Sequence, residues 1–228
     1  MSDLKDIAAT DVKGAMEGSS FGTPDCGESA KRRQILQGAR AVFLAQGFDG
    51  ASMGEIARAS GVSKGTLYVY FDSKDKLFEE LTLEEKKCLA EVLFKLDPDN
   101  PDVRAELTEL GASFLKYMAE PHHVSSVRMV IGAAEKFPRI GQTFYQAGPQ
   151  RGIERLSAYF ARQTEAGRLS ISDPDMAAGH FLALCQAETM KRLLFAVDTK
   201  LDPAEIETRV REALRVFFLA YGPNVARD

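Results

Sequence analysis

Apolar residues recur at three- and four-residue spacing along most of this chain, and no alternating, strand-like stretch of useful length interrupts them. From Ser29 onward Ile35, Ala39, Val42 and Phe43 keep to one helical face, with Gly47 as its stop. Ser52 then caps a short helix whose Met53, Ile56 and Ala57 face one way and which ends before Gly61; Ser63 caps a second, SKGTLYVYF, with Leu67 inward. Ser73 caps a third, with Asp75 in the first turn, where a carboxylate favours the positive helix end. That helix is long, because Leu77, Leu81, Cys88, Val92 and Leu96 continue one face to the DPDNP break at Asp97 to Pro101. Asn100-Pro101, Asp173-Pro174 and Asp202-Pro203 each offer a capping side chain followed by proline, predicting further helix starts. The pattern predicts an all-α chain. Residues 1–28, poor in apolar side chains, read as a flexible tail, residues 29–77 as a small head of short helices, and residues 78–228 as a larger helical body.

Composition adds the class: 228 residues with 45% hydrophobic and 27% charged side chains suit an ordinary globular protein. The most apolar segment, MAAGHFLALCQAETM, is interrupted by His180, Gln186 and Glu188, so no membrane span is expected. An acidic N-terminus without an apolar centre argues against export, and three scattered cysteines without CxxC spacing suit a reducing cytoplasm. His122 and His123 are adjacent and so face apart on a helix, and no third ligand accompanies them, which argues against a metal site; no cofactor is expected. Charge changes the picture more. The chain carries −4 overall, yet Ser29 to Leu77 holds eight basic residues against four acidic ones, so a basic head sits on an acidic body.

Two short helices joined by a tight turn at Gly61-Val62 build little core alone, but they make a rigid corner that presents the second helix as a probe. This is a helix-turn-helix, whose second helix has the dimensions to enter the major groove of double-stranded DNA. Lys64 and Thr66 supply a charge and a hydroxyl near the base edges, and Gly65 lets backbone approach backbone. Tyr68 and Tyr70, two apart, project differently, so at least one is expected outside. Lys74, Lys31 and Arg32 are placed to reach phosphate, and the caps Ser52 and Ser63 complete the candidate DNA-binding set.

Over Ser29 to Leu81 the chain resembles the N-terminal domain of the TetR family of bacterial transcription repressors. The resemblance rests on Phe43, Gly47-Phe48, Ser52, Ile56-Ala57, Gly61-Val62-Ser63, Gly65-Thr66-Leu67-Tyr68, Tyr70-Phe71, Lys74 and Leu77 in fixed register. Tyr70 and Gly54 depart from the pattern, where histidine and a polar or basic residue are usual. Glu135 to Pro149, EKFPRIGQTFYQAGP, resembles an AcrR-like or AefR-like subgroup. The resemblance implies a homodimer on a palindromic operator, released when a small-molecule effector occupies the body.

In the body, Gly179, Ala183 and Ala187 recur four apart and leave a groove for another helix, while ALRVFFLAY, with Leu214 and Phe218, is apolar almost all round. Both want a partner, and a twofold four-helix interface supplies it. Phe114, Met118, Arg128, Ile131, Glu135 and Phe144 form the candidate lining of an effector pocket for an apolar or amphipathic molecule. The long helix from Ser73 is the expected link between pocket and head. Cys88 and Cys185 read as small buried hydrophobes. The competing reading, a helical carrier or enzyme, lacks any nucleophile, base and orienting group spaced as a unit.

Overall fold

The computed structural model describes residues 30–93 and 95–223, the side chains of 85–93 excepted. The predicted tail, Cys26, and the side chains of Cys88 and Val92 lie outside the described residues. Helices and connecting turns account for the described residues, with no strand among them.

The head is α1 (Ala30–Gly50), α2 (Met53–Ala59) and α3 (Lys64–Tyr70), followed by the first turns of α4 (Lys74–Leu93). Regular helix in α1 breaks at Gly47, whose left-handed φ of 72° suits a residue without Cβ, and a last helical turn carries on to Gly50. Ser52 caps α2 through a capping box: its hydroxyl accepts from the Glu55 amide, and the Glu55 carboxylate accepts from the Ser52 amide. At the far end the Val62 amide donates to the Ala57 carbonyl and the Gly61 amide to that of Arg58, a Schellman closure that places Gly61 at φ 62°.

Gly38 is the close approach that the periodicity did not reveal. A Cβ there would lie 2.1 Å from Ser60 Oγ and 2.7 Å from the Ser60 backbone, so α1 and the end of α2 meet almost backbone to backbone. Two hydrogen bonds fix the crossing, Ser60 Oγ donating to the Ile35 carbonyl (3.3 Å) and Gln34 Nε2 to the Ser60 carbonyl (2.7 Å). Below it Phe43, Phe48 and Phe78 form a ring triangle with centroids 5.4–5.7 Å apart.

The body comprises α5 (Val103–Met118), α6 (Pro121–Ala134), α7 (Pro138–Tyr145), α8 (Arg151–Glu165), α9 (Pro174–Gln186), α10 (Thr189–Leu194) and α11 (Pro203–Tyr221). Asp173 and Asp202 cap α9 and α11 with proline in the first turn, as their dipeptides predict. Asn100-Pro101 behaves differently. Asn100 Oδ1 accepts from the Asp102 amide, and Asp102, free to accept from Ala105, is the cap of α5. Between α7 and α8 lies a π turn, Gln146–Gln150, containing Pro149; lacking an amide proton, proline cannot make the ordinary helical bond, and the wider turn joins the two helices.

Two cores result. Phe160, Phe181 and Phe217 pack together in the body with Leu107, Leu110, Leu156 and Val210, and Cys185 lies among them against Gly111 and Val210. Burial pushes the Cys185 thiol up to about 12, so it stays a protonated, unreactive filler at neutral pH. The head's core does not stop at Leu77: it takes in Phe78 and Leu81 from α4 and Val130, Ala133 and Ile140 from α6 and α7. The helix following the head is therefore shared, and α6 packs directly on α1 and α7 on α4.

The two kinds of glycine make a test. Gly38→Ala must displace backbone and is expected to lower the urea midpoint by the equivalent of about 1–3 kcal/mol, the usual cost of overpacking. Gly132 in α6 has nothing within 4 Å of a built Cβ, so Gly132→Ala is expected to raise stability by about 0.5–1 kcal/mol.

Candidate nucleic-acid interface

Helix α3 gives only Leu67 to the core. Its cap, Ser63, accepts from the Thr66 amide (3.0 Å), and the Ser63 and Thr66 hydroxyls share a hydrogen bond of 2.8 Å. Tyr68 and Tyr70 both stand outside, 49% and 38% exposed, and Val69 between them is 81% exposed. Sequence reasoning missed Val69, since an apolar residue between two tyrosines reads as core until the helical phase relative to Leu67 is considered.

Lys64 and Gly54 explain one another. A Cβ on Gly54 would lie 3.0 Å from Lys64 Cε and 3.3 Å from Nζ, so the lysine stem runs across α2 where that glycine leaves room. Lys64 thus directs its ammonium to the α2–α3 seam, alongside the outward surface of α3 rather than out of its centre. Gly65, by contrast, is not demanded by internal packing: the nearest atom to a built Cβ is Ser63 Oγ at 3.8 Å, an ordinary contact. Lys31 is exposed and donates to Gln34 Oε1 (2.9 Å).

Two residues expected at phosphate are engaged within the chain. Lys74 donates to the carbonyls of Phe48 (2.7 Å), Ala51 (2.9 Å) and Asp49 (3.3 Å), and its ammonium lies 4.5 Å from the Phe48 ring centroid. A lysine has three N–H donors, and these carbonyls, orphaned where α1 ends, occupy them. Arg32 is bound to Glu80 at 2.6 Å and lies over the Phe71 ring, tying α1 to α4. Both cations order the head internally. Next to them Lys136 pairs with Asp49 at 2.6 Å, and this bond holds the Asp49 carboxyl below its usual range; Phe137 sets its edge on Phe48 at 5.0 Å.

The expected effector lining does not come together. Phe114 belongs to the body's core and Met118 packs against it. Arg128 donates to the carbonyls of Leu193 (2.5 Å) and Leu194 (2.9 Å), capping the end of α10. Ile131 is 61% exposed, and Glu135, the cap of α6, points to solvent. Phe144 alone of the six lines the cleft between α1, α4, α6 and α7, beside Arg40, Phe43, Phe78, Ser126 and Met129; its volume of about 10 Å³ suits a single water. Of the expected association surface, Ala183 is outward and Gly179 has open space around it, but Ala187 closes α9 at φ 26°, Leu214 is buried in its own core, and Phe218 is half-buried under Arg104. The outward apolar residues of these helices are Met176, Val216 and Leu219, the last 75% exposed.

This arrangement, a small head whose capped second helix is presented outward on a larger helical body, is that of a helix-turn-helix transcription regulator. Residues 35–81 match the N-terminal model of bacterial regulatory proteins of the tetR family, and residues 105–223 match the C-terminal domain of AefR-like transcriptional repressors. The chain belongs to the TetR family, with an AefR-like body. Among solved structures it is similar to a TetR-family regulator of Mesorhizobium loti, at 27% identity and TM-score 0.78 over 86% of this chain and 100% of that one. It is likewise similar to the flavonoid-responsive regulator FrrA, at 30% identity and TM-score 0.75 over 86% of this chain and 98% of that one. A repressor of Mycobacterium tuberculosis, Rv1474c, is 41% identical over 64 residues, 28% of this chain and 34% of its own length. The chain thus aligns with about a third of the length of such curated relatives. No helix among the described residues is long and apolar enough to cross a membrane.

The reassignment of Lys74 is testable. Lys74→Ala is expected to destabilise the chain by about 1.5–3 kcal/mol in urea denaturation, as charged hydrogen bonds to part-buried carbonyls are lost. Under conditions where the variant is folded, the salt slope of its DNA binding is expected to match that of the unsubstituted protein; a slope lower by one would restore Lys74 to phosphate.

Proposed function

We propose that this chain is a ligand-responsive transcriptional repressor that binds a palindromic operator in double-stranded DNA as a homodimer and leaves it when a small apolar or amphipathic effector occupies the body. The observation carrying the DNA half is the presentation of α3, which buries Leu67, half-buries Thr66 and exposes Lys64, Gly65, Tyr68, Val69 and Tyr70. Membership of the family supports the same reading. The dimer is supported by the outward apolar residues Met176, Val216 and Leu219 with the small Ala183 on α9 and α11, and a twofold dimer offers two heads to two half-sites. The relative named flavonoid-responsive supports an aromatic effector class.

Release works by population shift. The cleft beside Phe144 has room for little more than a water, so an effector entering there selects an opened geometry, and lowering operator affinity a hundredfold takes about 2.7 kcal/mol of differential affinity. The carrier of that shift is α6 as much as α4. Arg128, midway along α6, fastens it to α10, and Lys136 and Phe137, just past its C-terminal end, engage Asp49 and Phe48 of the head.

A binding titration over salt concentration on duplexes selected from a random-sequence pool tests the DNA reading: the logarithm of affinity falls linearly with the logarithm of salt. Lys64→Ala is expected to reduce that slope by about one while leaving base preference unchanged, as a phosphate contact does. Preference that changes with an unaltered slope would make Lys64 a base contact.

Association is tested by Ala183→Arg and Leu219→Arg, each placing a charge on the outward face. Both are expected to sediment as monomers at concentrations where the unsubstituted chain is dimeric. Dimers in both variants would move the interface elsewhere.

A further inference from the structure

On the reading that α3 enters the major groove, the surface it turns toward the bases is defined by its helical phase. Successive residues of an α-helix rotate by about 100°, so relative to the inward Leu67, Gly65 and Val69 each lie within about 20° of the opposite direction. Thr66 and Tyr68 fall on the two shoulders. Lys64 and Tyr70 fall about 60° from Leu67, nearer the head. The large exposed side chains follow this order, Val69 at 81%, Tyr68 at 49% and Tyr70 at 38%. The outermost strip of the helix is thus a bare glycine backbone followed one turn later by two valine methyl groups, and it carries no side-chain donor or acceptor.

We infer that Val69 is a specificity-determining residue that reads the 5-methyl group of a thymine at the centre of each half-site. An isopropyl group cannot discriminate among the acceptors and amino groups of the major-groove edges; the one apolar feature displayed there is the thymine methyl. Gly65 has the complementary role. Its missing side chain is not required by the packing of the head, where a Cβ would meet nothing closer than 3.8 Å, and on the groove side it lets the helix settle deep enough for the Val69 methyls to touch the base edge. The two shoulders divide the polar work: the Thr66 hydroxyl is tethered to Ser63 at 2.8 Å, and the Tyr68 ring stands half-exposed. Direct hydrogen-bond readout thus belongs to the rim of the helix, and its centre reads a methyl.

The experiment uses the full chain and a duplex recovered from a random-sequence pool. Each thymine of the duplex is replaced singly by deoxyuridine, which removes the methyl and keeps every hydrogen-bonding group. One position in each half-site is expected to lose about fourfold in affinity on this change, the effect of losing the burial of one methyl group in the complex. Val69→Ala, at a position so exposed that folding is unaffected, is expected to bind the thymine and deoxyuridine duplexes equally, while Val69→Ile restores the preference. Two results overturn the inference while leaving operator binding intact: no thymine sensitive to its methyl, or a sensitivity that persists undiminished in Val69→Ala. Failure to recover any bound duplex overturns the DNA-binding reading together with it.

Discussion

The head depends on one ammonium group. Where α1 ends, the carbonyls of Phe48, Asp49 and Ala51 point away from any helical partner, and Lys74 at the start of α4 supplies all three with a donor. The part-buried carbonyls of Phe48 and Ala51 would otherwise cost on the order of 1–3 kcal/mol each if left without a bond. Through this contact the end of α1, the entry to α2 and the beginning of α4 are fixed together, and the ring of Phe48 beneath the ammonium extends the tie into the aromatic core. The direction in which α3 is presented follows, since α3 is held between α2 and α4 by one buried leucine and two turns.

The same hub joins head to body. With its backbone carbonyl engaged by Lys74, Asp49 offers its carboxylate to Lys136, and Phe137 closes against Phe48. Val130, Ala133 and Ile140 complete the head's hydrophobic core from the body's side. Motion of α6 therefore cannot leave the head unchanged: close packing transmits displacement where a flexible linker would absorb it. The surface pair itself contributes little energy at 67% and 62% side-chain exposure, and its value is directional.

Bound cations divide by the origin of their partners. Lys74, Arg32 and Arg128 each serve carbonyls or a carboxylate within the chain, whereas Lys64, at the start of α3, and Lys31, bonded among the described residues only to the nearby Gln34 amide on α1, keep exposed positions. A basic head thus devotes part of its charge to cohesion, and the share available to an anionic partner is smaller than the count of basic residues suggests.

The sequence by itself determined the helices and their caps, because capping, proline placement and apolar periodicity are local: Ser52, Ser63, Asp173 and Asp202 act within three residues of themselves. It also determined the helix-turn-helix, since the Gly61 turn and the inward Leu67 are set by backbone geometry and phase. What only the tertiary structure decided is the use of each long side chain. Lys74 and Arg128 are polar residues at plausible contact positions, and nothing local records that carbonyls 23 or 65 residues away in sequence await them. Phe114 and Leu214 look like pocket or interface residues for the same reason: apolarity says that a residue is covered, and only the packing of α5, α8, α9 and α11 says by what. Gly38 and Gly54 show the limit most clearly, because their function is to leave room for atoms that the chain brings near only when it is folded.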